Sequence, residues 1–562
     1  MSYPIRHLGR RGRSSCSSLI SQLRWRRLRS SSAMARGGEG EELGGFSEYM
    51  ERLRNYERIG VPRGAGTDSG DGFDLGRMRR LLRRLGDPHA QLFISLALKG
   101  KVHLQHFCPI FYEKKAIKLA AIPGRNGDPV SAELLRDTFH GAKGVLDQSI
   151  ELENGALTHF EVFTALAFLL FSQEKVDIAI IEAGLGGARD ATNVIRNSEL
   201  AASVLTSIGE EHLAALGGSL ESVAMAKSGI IKQGRPVIIG GPLEEKIERI
   251  IKDRASVMNS PVISACDPGI RSILKCFARD DDEPRQTCDI VVDIQKDMKL
   301  SIKLHDLKLH MLGAHQLQNA VTTTCTALCL SKQGWRISDA SIRAGLERTK
   351  LHGRNQFLTQ KEASAFGLQE VSLLVDGGFI DVPTMIFIFL RPFDIWKYVP
   401  AHTEASAKGL SDVIRMAHPD GPLALVVAMA SDKDHLAFAR QLLSGRRPDI
   451  VLLTETSIAG GKSRTISASA LKNIWIKAAQ DLSINLIDLG AVELHKLSKD
   501  NNCSFVSMSD NETMLIGYQV APVNDSIRVC SQLLQSKEQD QNGLIAVTGS
   551  LHIVSSLLAA VY

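Results

Sequence analysis

The chain has 562 residues, 44% of them hydrophobic and 23% charged, an ordinary globular balance with room for about two to four domains. Its net charge of +5 is carried by one end: residues 1–36 hold nine arginines and no carboxylate, the first being Glu39. The remainder is slightly acidic, so net charge gives no case for a nucleic-acid partner. No apolar run approaches the roughly 20 residues that span a bilayer, which excludes a spanning helix. The nine cysteines are scattered without CxxC spacing and read as reduced thiols, neither a zinc site nor a disulfide frame.

Residues 1–46 have the Arg- and Ser-rich, acid-free composition of a mitochondrial transit peptide. The alternative is a disordered basic tail. From Phe46 to about Gly86 the pattern is helical and basic, with Gly86 and Pro88 as a stop. "LTHFEVFTALAFLLFSQ" reads as a helix opened by a capping box of Thr158 and Glu161. "VDIAIIEA", "SVLTSI" and "RPVIIGG" read as short apolar strands. Strand and helix in alternation imply a parallel sheet covered on both faces. "ARDDDEPRQT" reads as a charged surface loop, and "LQNAVTTTCTALCLSKQG" and "SDASIRAGLER" as helices. A second alternating unit begins near Leu351, with strands "VSLLVDG", "ALVVAMA", "DIVLLTE" and "LIAVTGS". The expected fold is therefore α/β in two domains, 47–350 and 351–562.

Within the first unit, "DIAIIEAGLGGARDATNVI" (177–195) mounts Glu182 at the end of a strand, where open α/β sheets bind ligands. A carboxylate there can hold a divalent cation, and Gly184, Gly186 and Gly187 would let backbone approach a phosphate. His212 follows the next strand, and Lys227 lies on a helix before another. Taken singly, each of these fits an ordinary turn, loop histidine or solvated lysine.

Their order is what carries a resemblance. "EAGLGGARDATN", "GEEHLAALG", "AKSGIIK", "HQLQNA", "GRNQF" and "VTGSL" occur in the sequence seen in folylpolyglutamate and dihydrofolate synthases, ATP-dependent amide-forming enzymes of the Mur-ligase group. The resemblance covers roughly residues 46–562 and implies a P-loop-type ATP-binding domain followed by a smaller Rossmann-like one. It implies that Glu182 and His212 bind magnesium and that Lys227 is a carbamylated lysine. It assigns Gly100, Lys101, Asn319, Arg354 and Asp376 to ATP, and His402 to catalysis beside Asp376. His352-Gly353 stands before Arg354 where the family usually has Pro-Gly. Expected partners are small molecules only: a pterin acid, L-glutamate and ATP, bound by a monomer with no nucleic acid or membrane. "GGARDATN" is most similar to plant dihydrofolate synthetases, with polyglutamate extension as the close alternative.

Two stretches depart from the family. Where a phosphate loop reading approximately H-[VI]-A-G-T-K-G-K-G-S belongs, the chain reads "LFISLALKGKVHLQHFCPIFYEKKAIKLAAIPGRNGDP", and only Lys99-Gly100-Lys101 resembles it. Regrouping the codons of Leu96–Leu104 by one base permits G-T-K-G-K-G-S-P, and continuing to Pro123 permits a helix and then a strand. The stretch 95–123 thus reads as coding sequence out of frame. The second departure is "VDGGFIDVPTMIFIFLRPFDIWKYVPAHTEASAKGL", where removing Gly378–Pro400 restores Asp376-Gly377-Ala401-His402-Thr403. Residues 378–400 read as a retained intron. The alternative to both is a divergent, inactive member that binds folate or nucleotide without catalysis.

Overall fold

The computed structural model describes residues 44–56, 61–66, 73–91, 95–99, 116–118, 130–209, 213–280, 283–295, 298–351, 353–368, 371–377, 404–431, 433–455, 465–489, 513–520, 522–535 and 543–561. The first unit is built on six parallel strands: β1 (Ser95–Lys99), β2 (Ala116–Lys118), β3 (Ile178–Glu182), β4 (Leu200–Leu205), β5 (Val237–Ile239) and β6 (Val262–Ser264). Their order is β2-β3-β1-β4-β5-β6. Successive residues of β3 point to opposite faces, as a period of two requires. Ile178 and Ile180 join one core, while Ala179 and Ile181 join the other. Because both faces are covered, the strand is apolar throughout, which is what made it legible.

Helices α1 (Gly44–Glu51), α2 (Leu75–Arg84), α3 (Ala132–Leu152) and α4 (His159–Gln173) bury one face. The expected capping box opens α4: Thr158 Oγ1 accepts from the Glu161 amide at 3.2 Å and Glu161 Oε2 accepts from the Thr158 amide at 2.8 Å. Glu161 also accepts from Arg77 Nε of α2 at 2.8 Å, a pair closed off from solvent. One carboxylate therefore caps α4 and fastens α2 to it. Helices α5 (Leu220–Ser228) and α6 (Glu245–Val257) follow β4 and β5. Against the opposite face lies α7 (Ala314–Lys332).

The structure departs from the expected surface loop at 278–287. That segment is the tip of an antiparallel hairpin, β7 (Ile270–Asp280) and β8 (Glu283–Ile294), extended by β9 (Leu300–Leu309). The pairing runs out to Asp280 opposite Glu283, so strand reaches into most of the charged stretch. The inner face, including Cys288, Ile290 and Leu304, packs onto α7. The basic amino-terminal region is also less helical than its pattern suggests, since residues 61–66 are irregular between α1 and α2.

After α8 (Asp339–Arg348) the chain passes into a seven-stranded sheet of order β10-β11-β16-β12-β13-β15-β14. Its strands are β10 (Gln356–Phe357), β11 (Ser372–Asp376), β12 (Leu423–Val427), β13 (Ile450–Thr454), β14 (Asn485–Leu489), β15 (Thr513–Gln519) and β16 (Leu544–Thr548). All pairs are parallel except the β10 edge. Helices α10 (Glu404–Ala417), α11 (His435–Leu443) and α12 (Ala468–Asp481) cover one face. Helices α9 (Gln360–Ser364), α13 (Val523–Gln535) and α14 (Leu551–Val561) cover the other. This is a two-domain α/β architecture. The units touch where Leu312 enters the second core, where Phe277 and Phe357 lie 6.4 Å apart, and where the start of α7 meets Gly409 of α10. Among the described residues no helix is long and apolar enough to cross a membrane.

Candidate functional site

Glu182 closes β3 with its side chain half-buried and its Oε2 atom shut away from solvent. Beside it runs β1, with Leu98 in register with Glu182 and Lys99 with Leu205 of β4. The carboxyl end of β1 therefore lies between those of β3 and β4, at the edge where such sheets bind ligands. Gly100 and Lys101 are the next residues and lie outside those described, as do His212 and His402. Strand β1 itself occupies positions that the frame-shifted reading gives to the start of a phosphate loop. Strand β2 forms at 116–118, close to where that reading also ends in a strand.

Lys227 sits in the last turn of α5, 5% exposed, and its Nζ points to the Ser207 carbonyl at 3.4 Å. Ser207 belongs to the segment that follows β4, so the carboxyl end of that strand and a buried lysine share one corner. The segment 184–193 sets this corner, through a role the sequence reading did not give it. A Cβ on Gly187 would lie 2.9 Å from the Lys227 carbonyl oxygen and 3.0 Å from that of Ala226. A Cβ on Gly229 would lie 2.4 Å from Ala188 Cβ, and one on Gly184 would lie 2.8 Å from the Phe160 ring. Gly187 and Gly229 are small because helix and loop meet backbone to backbone, and Gly184 because the Phe160 ring lies against it.

Two side chains lock the contact. Asp190 accepts from the Leu185 amide at 2.8 Å and from the Thr192 amide and hydroxyl at 3.0 and 2.6 Å. Asn193 Nδ2 donates to the Ala188 carbonyl at 3.0 Å and to the Gly229 carbonyl at 3.2 Å, clasping the loop to the end of the helix that carries Lys227. Both residues stand in the stretch that singles out Glu182. Their acid and amide types after a glycine run were the available signal.

In the second unit, Arg354 and Asp376 come together as expected for a shared site. Arg354 Nη1 lies 3.5 Å from Asp376 Oδ1, and both side chains are buried. Burial pushes the Arg354 guanidinium down from its ordinary value, with the Asp376 charge opposing. The Asn355 amide donates to Asp376 Oδ1 at 3.3 Å, and the Gly377 amide donates to the Gly353 carbonyl at 2.8 Å, fixing the end of β11. Gly353 has φ +73, so the residue before Arg354 needs glycine whatever precedes it. Asn319 lies on α7 and donates through Nδ2 to Gln316 Oε1 at 3.0 Å. Among the described residues no hydrogen bond joins Asn319 to Arg354 or Asp376. Missed by the sequence reading is Gln286 of β8, fully buried, which donates to the carbonyls of Met311 and Gly313 at 2.8 and 3.2 Å. It accepts in return from the Gly313 amide at 3.0 Å, setting the start of α7 and its His315-to-Asn319 run.

Comparison with known proteins places these features. Residues 132–327 match the Mur ligase middle domain. A Bacillus subtilis dihydrofolate synthase/folylpolyglutamate synthase is 30% identical over 302 residues, 51% of this chain and 66% of that protein. Human mitochondrial folylpolyglutamate synthase is 36% identical over 145 residues, 24% of this chain and 23% of that one. The chain thus spans less than two thirds of the curated relatives it matches. Among solved structures, Mycobacterium tuberculosis folylpolyglutamate synthase with ADP and AMPPCP superposes with a TM-score of 0.63 at 18% identity, covering 93% of this chain and 99% of that one. The bifunctional Yersinia pestis enzyme with AMPPNP and a manganese ion gives 0.59 at 20% identity, covering 92% and 97%. The chain is thus similar to folylpolyglutamate and dihydrofolate synthases, with residues 132–327 matching the Mur ligase middle domain.

Proposed function

We propose that the protein is an acid–amino-acid ligase that joins L-glutamate to a pterin acid at the expense of ATP. The favoured substrate is dihydropteroate, giving dihydrofolate; the second reading adds glutamates to tetrahydrofolate. The observation that carries the proposal is the placement of Glu182 at the carboxyl end of β3 and of buried Lys227 at the Ser207 carbonyl beyond β4, the two strands that flank β1, reinforced by its relatives. In this reading 47–350 is the nucleotide-binding domain and 351–562 the closing one, and residues 1–46 are a mitochondrial leader. Its charge pattern and the mitochondrial relatives support that destination.

Magnesium suits the chemistry of the corner. Glu182 supplies a hard oxygen ligand, and a carbamate on Lys227 would supply two more where an ammonium would repel a cation. Among the described residues no ready cluster of three His, Cys, Asp or Glu side chains forms, so His212 completes the set in this assignment. The bound ion would neutralise phosphate charge during transfer. ATP would be held by Gly100, Lys101 and Asn319 of the first domain and by Arg354 and Asp376 of the second.

The need for such parts follows from the reaction. A carboxylate does not acylate an amine in water, because the group that must leave is oxide. Transfer of the γ-phosphoryl forms a bond from carboxylate oxygen to phosphorus and breaks the bond to ADP. The resulting acyl phosphate has a good leaving group. The amine of glutamate attacks its carbonyl, phosphate departs, and in this assignment His402 would receive a proton. Cationic side chains lower the cost of the tetrahedral intermediate.

Incubating the purified protein with ATP and glutamate plus dihydropteroate or tetrahydrofolate, and following phosphate, tests this. The chain as written should release none. A version with 95–123 in the shifted frame and without 378–400 should respond to dihydropteroate. Turnover by the unaltered chain would refute the frame-shift reading, and silence from the corrected one would favour a non-catalytic family member.

A further inference from the structure

The segment between α1 and α2 is tied to the loops that leave β3 and β4 and to the start of α4. The Arg54 carbonyl accepts from the His159 amide at 2.9 Å, beside the capping box of α4. The amides of Gly64 and Gly66 donate to the carbonyls of Ala214 and Ala215 at 2.9 and 3.0 Å, in the turn that follows β4. The Phe73 amide donates to the Ala65 carbonyl at 3.2 Å, and the Phe73 carbonyl accepts from Arg189 Nε of the glycine loop at 2.8 Å. An amino-terminal strap thus holds both loops at once.

Leu216 lies where strap, turn and loop meet, and it is 1% exposed. A Cβ built on Gly66 of the strap would lie 2.5 Å from Leu216 Cδ2, and one on Gly186 of the loop would lie 3.0 Å from the same atom. Gly186 has φ +66, a conformation that itself favours glycine. Gly66 has no positive φ, so the close approach of Leu216 is what accounts for its missing side chain. The Cβ on Gly186 would also lie 3.8 Å from Ala226 Cβ, one residue before Lys227. The turn is closed on itself, since the amides of Leu216 and Gly218 both donate to the Leu213 carbonyl, at 3.1 and 2.7 Å. A shift of Leu216 therefore moves the turn as a unit.

We propose that Leu216 is a positioning residue: wedged between Gly66 and Gly186, it sets the turn after β4 against the loop after β3 and so holds the corner in which Lys227 is buried. What that corner does rests on the ligase reading; that Leu216 sets it does not. An ordinary core leucine would explain the burial, but not a strap that gives up a side chain to admit it.

The test uses the full chain and the rate at which acetyl succinimide ester labels each lysine, read by peptide mass spectrometry. Lys252, whose side chain is 53% exposed, is the internal standard. In the parent Lys227 should label far more slowly than Lys252. Leu216→Ala should raise the Lys227 rate about tenfold, as local opening around a new cavity does, while Leu216→Met keeps the protection. Gly66→Ala, whose methyl runs into Leu216, should raise the rate as well, and combining it with Leu216→Val should bring the rate back toward the parent's. Leu557→Ala, in the fully buried core of the second domain, should lower the unfolding midpoint without changing the Lys227 rate, which separates positioning from general stability. A Lys227 rate unmoved by Leu216→Ala and Gly66→Ala, or raised as much by Leu557→Ala, overturns the proposal. No ligase turnover enters the measurement, so failure of the ligase reading would leave the result standing.

Discussion

Gly187→Ala tests the geometry behind Lys227 directly. The added methyl would meet three atoms at once: the Lys227 carbonyl oxygen at 2.9 Å, the Ala226 carbonyl oxygen at 3.0 Å and Ile230 Cγ2 at 3.0 Å. Two of the three are backbone, so the relief must come from moving the last turn of α5 by a few tenths of an ångström. Overpacking of that kind costs roughly 1–3 kcal/mol, and the movement loads the Asn193 bonds that hold the turn. Gly144, on the exposed side of α3 with nothing within 4 Å of a built Cβ, is the matched control. Gly144→Ala should stabilise by up to about 1 kcal/mol. Urea unfolding followed by tryptophan fluorescence, with the slope unchanged, measures both. If Gly187→Ala unfolds within ~0.5 kcal/mol of the parent, the loop is not packed against the helix and the account of these glycines is wrong.

Other perturbations follow from the same structure. Asn193→Ala should cost about 1–3 kcal/mol, since two carbonyls lose their donor, and amide exchange at Ala188 should rise. An unchanged Ala188 rate would remove the clasp. Glu161→Gln breaks the closed Arg77 pair and should cost about 3 kcal/mol, visible as a lower unfolding midpoint; Arg77→Met with Glu161→Gln should recover part of it. Buried His159 is held neutral by its surroundings, its pKa lowered from 6.5 to about 4. The unfolded chain takes up that proton first, so stability is intact above about 6.5 and is lost as pH falls toward 4. The loss should reach about 3 kcal/mol, and His159→Phe should flatten that limb of a stability–pH curve.

The parts of the fold that were legible are those where local pattern and burial agree. Strands β3, β11, β12, β13 and β16 are covered on both faces and so are continuously apolar, and α4 announces itself by Thr158 and Glu161. The hairpin β7–β8 was not legible, because its turn falls inside the charged run 278–287, which reads as a loop. Only the alternating burial of Leu300, Ile302 and Leu304 in β9 marks the neighbouring strand. For the site, residue type and order pointed to Glu182, Lys227, Arg354 and Asp376, and the structure gives each a buried or half-buried place at a strand end or helix end. What sequence order could not give is which backbone touches which. Gly187 and Gly229 look like turn glycines until α5 is set against the loop, and Asn193 has no role until it reaches Gly229.

The central claim is that a carboxylate is made reactive by phosphorylation at the corner of Glu182 and Lys227. Dihydropteroate labelled with oxygen-18 in its carboxyl group, given to the corrected chain with ATP and glutamate, tests it most directly. One labelled oxygen should appear in the released phosphate for each dihydrofolate formed, and Lys227→Met should abolish both products together. Phosphate free of label, or dihydrofolate formed undiminished by Lys227→Met, would contradict the account.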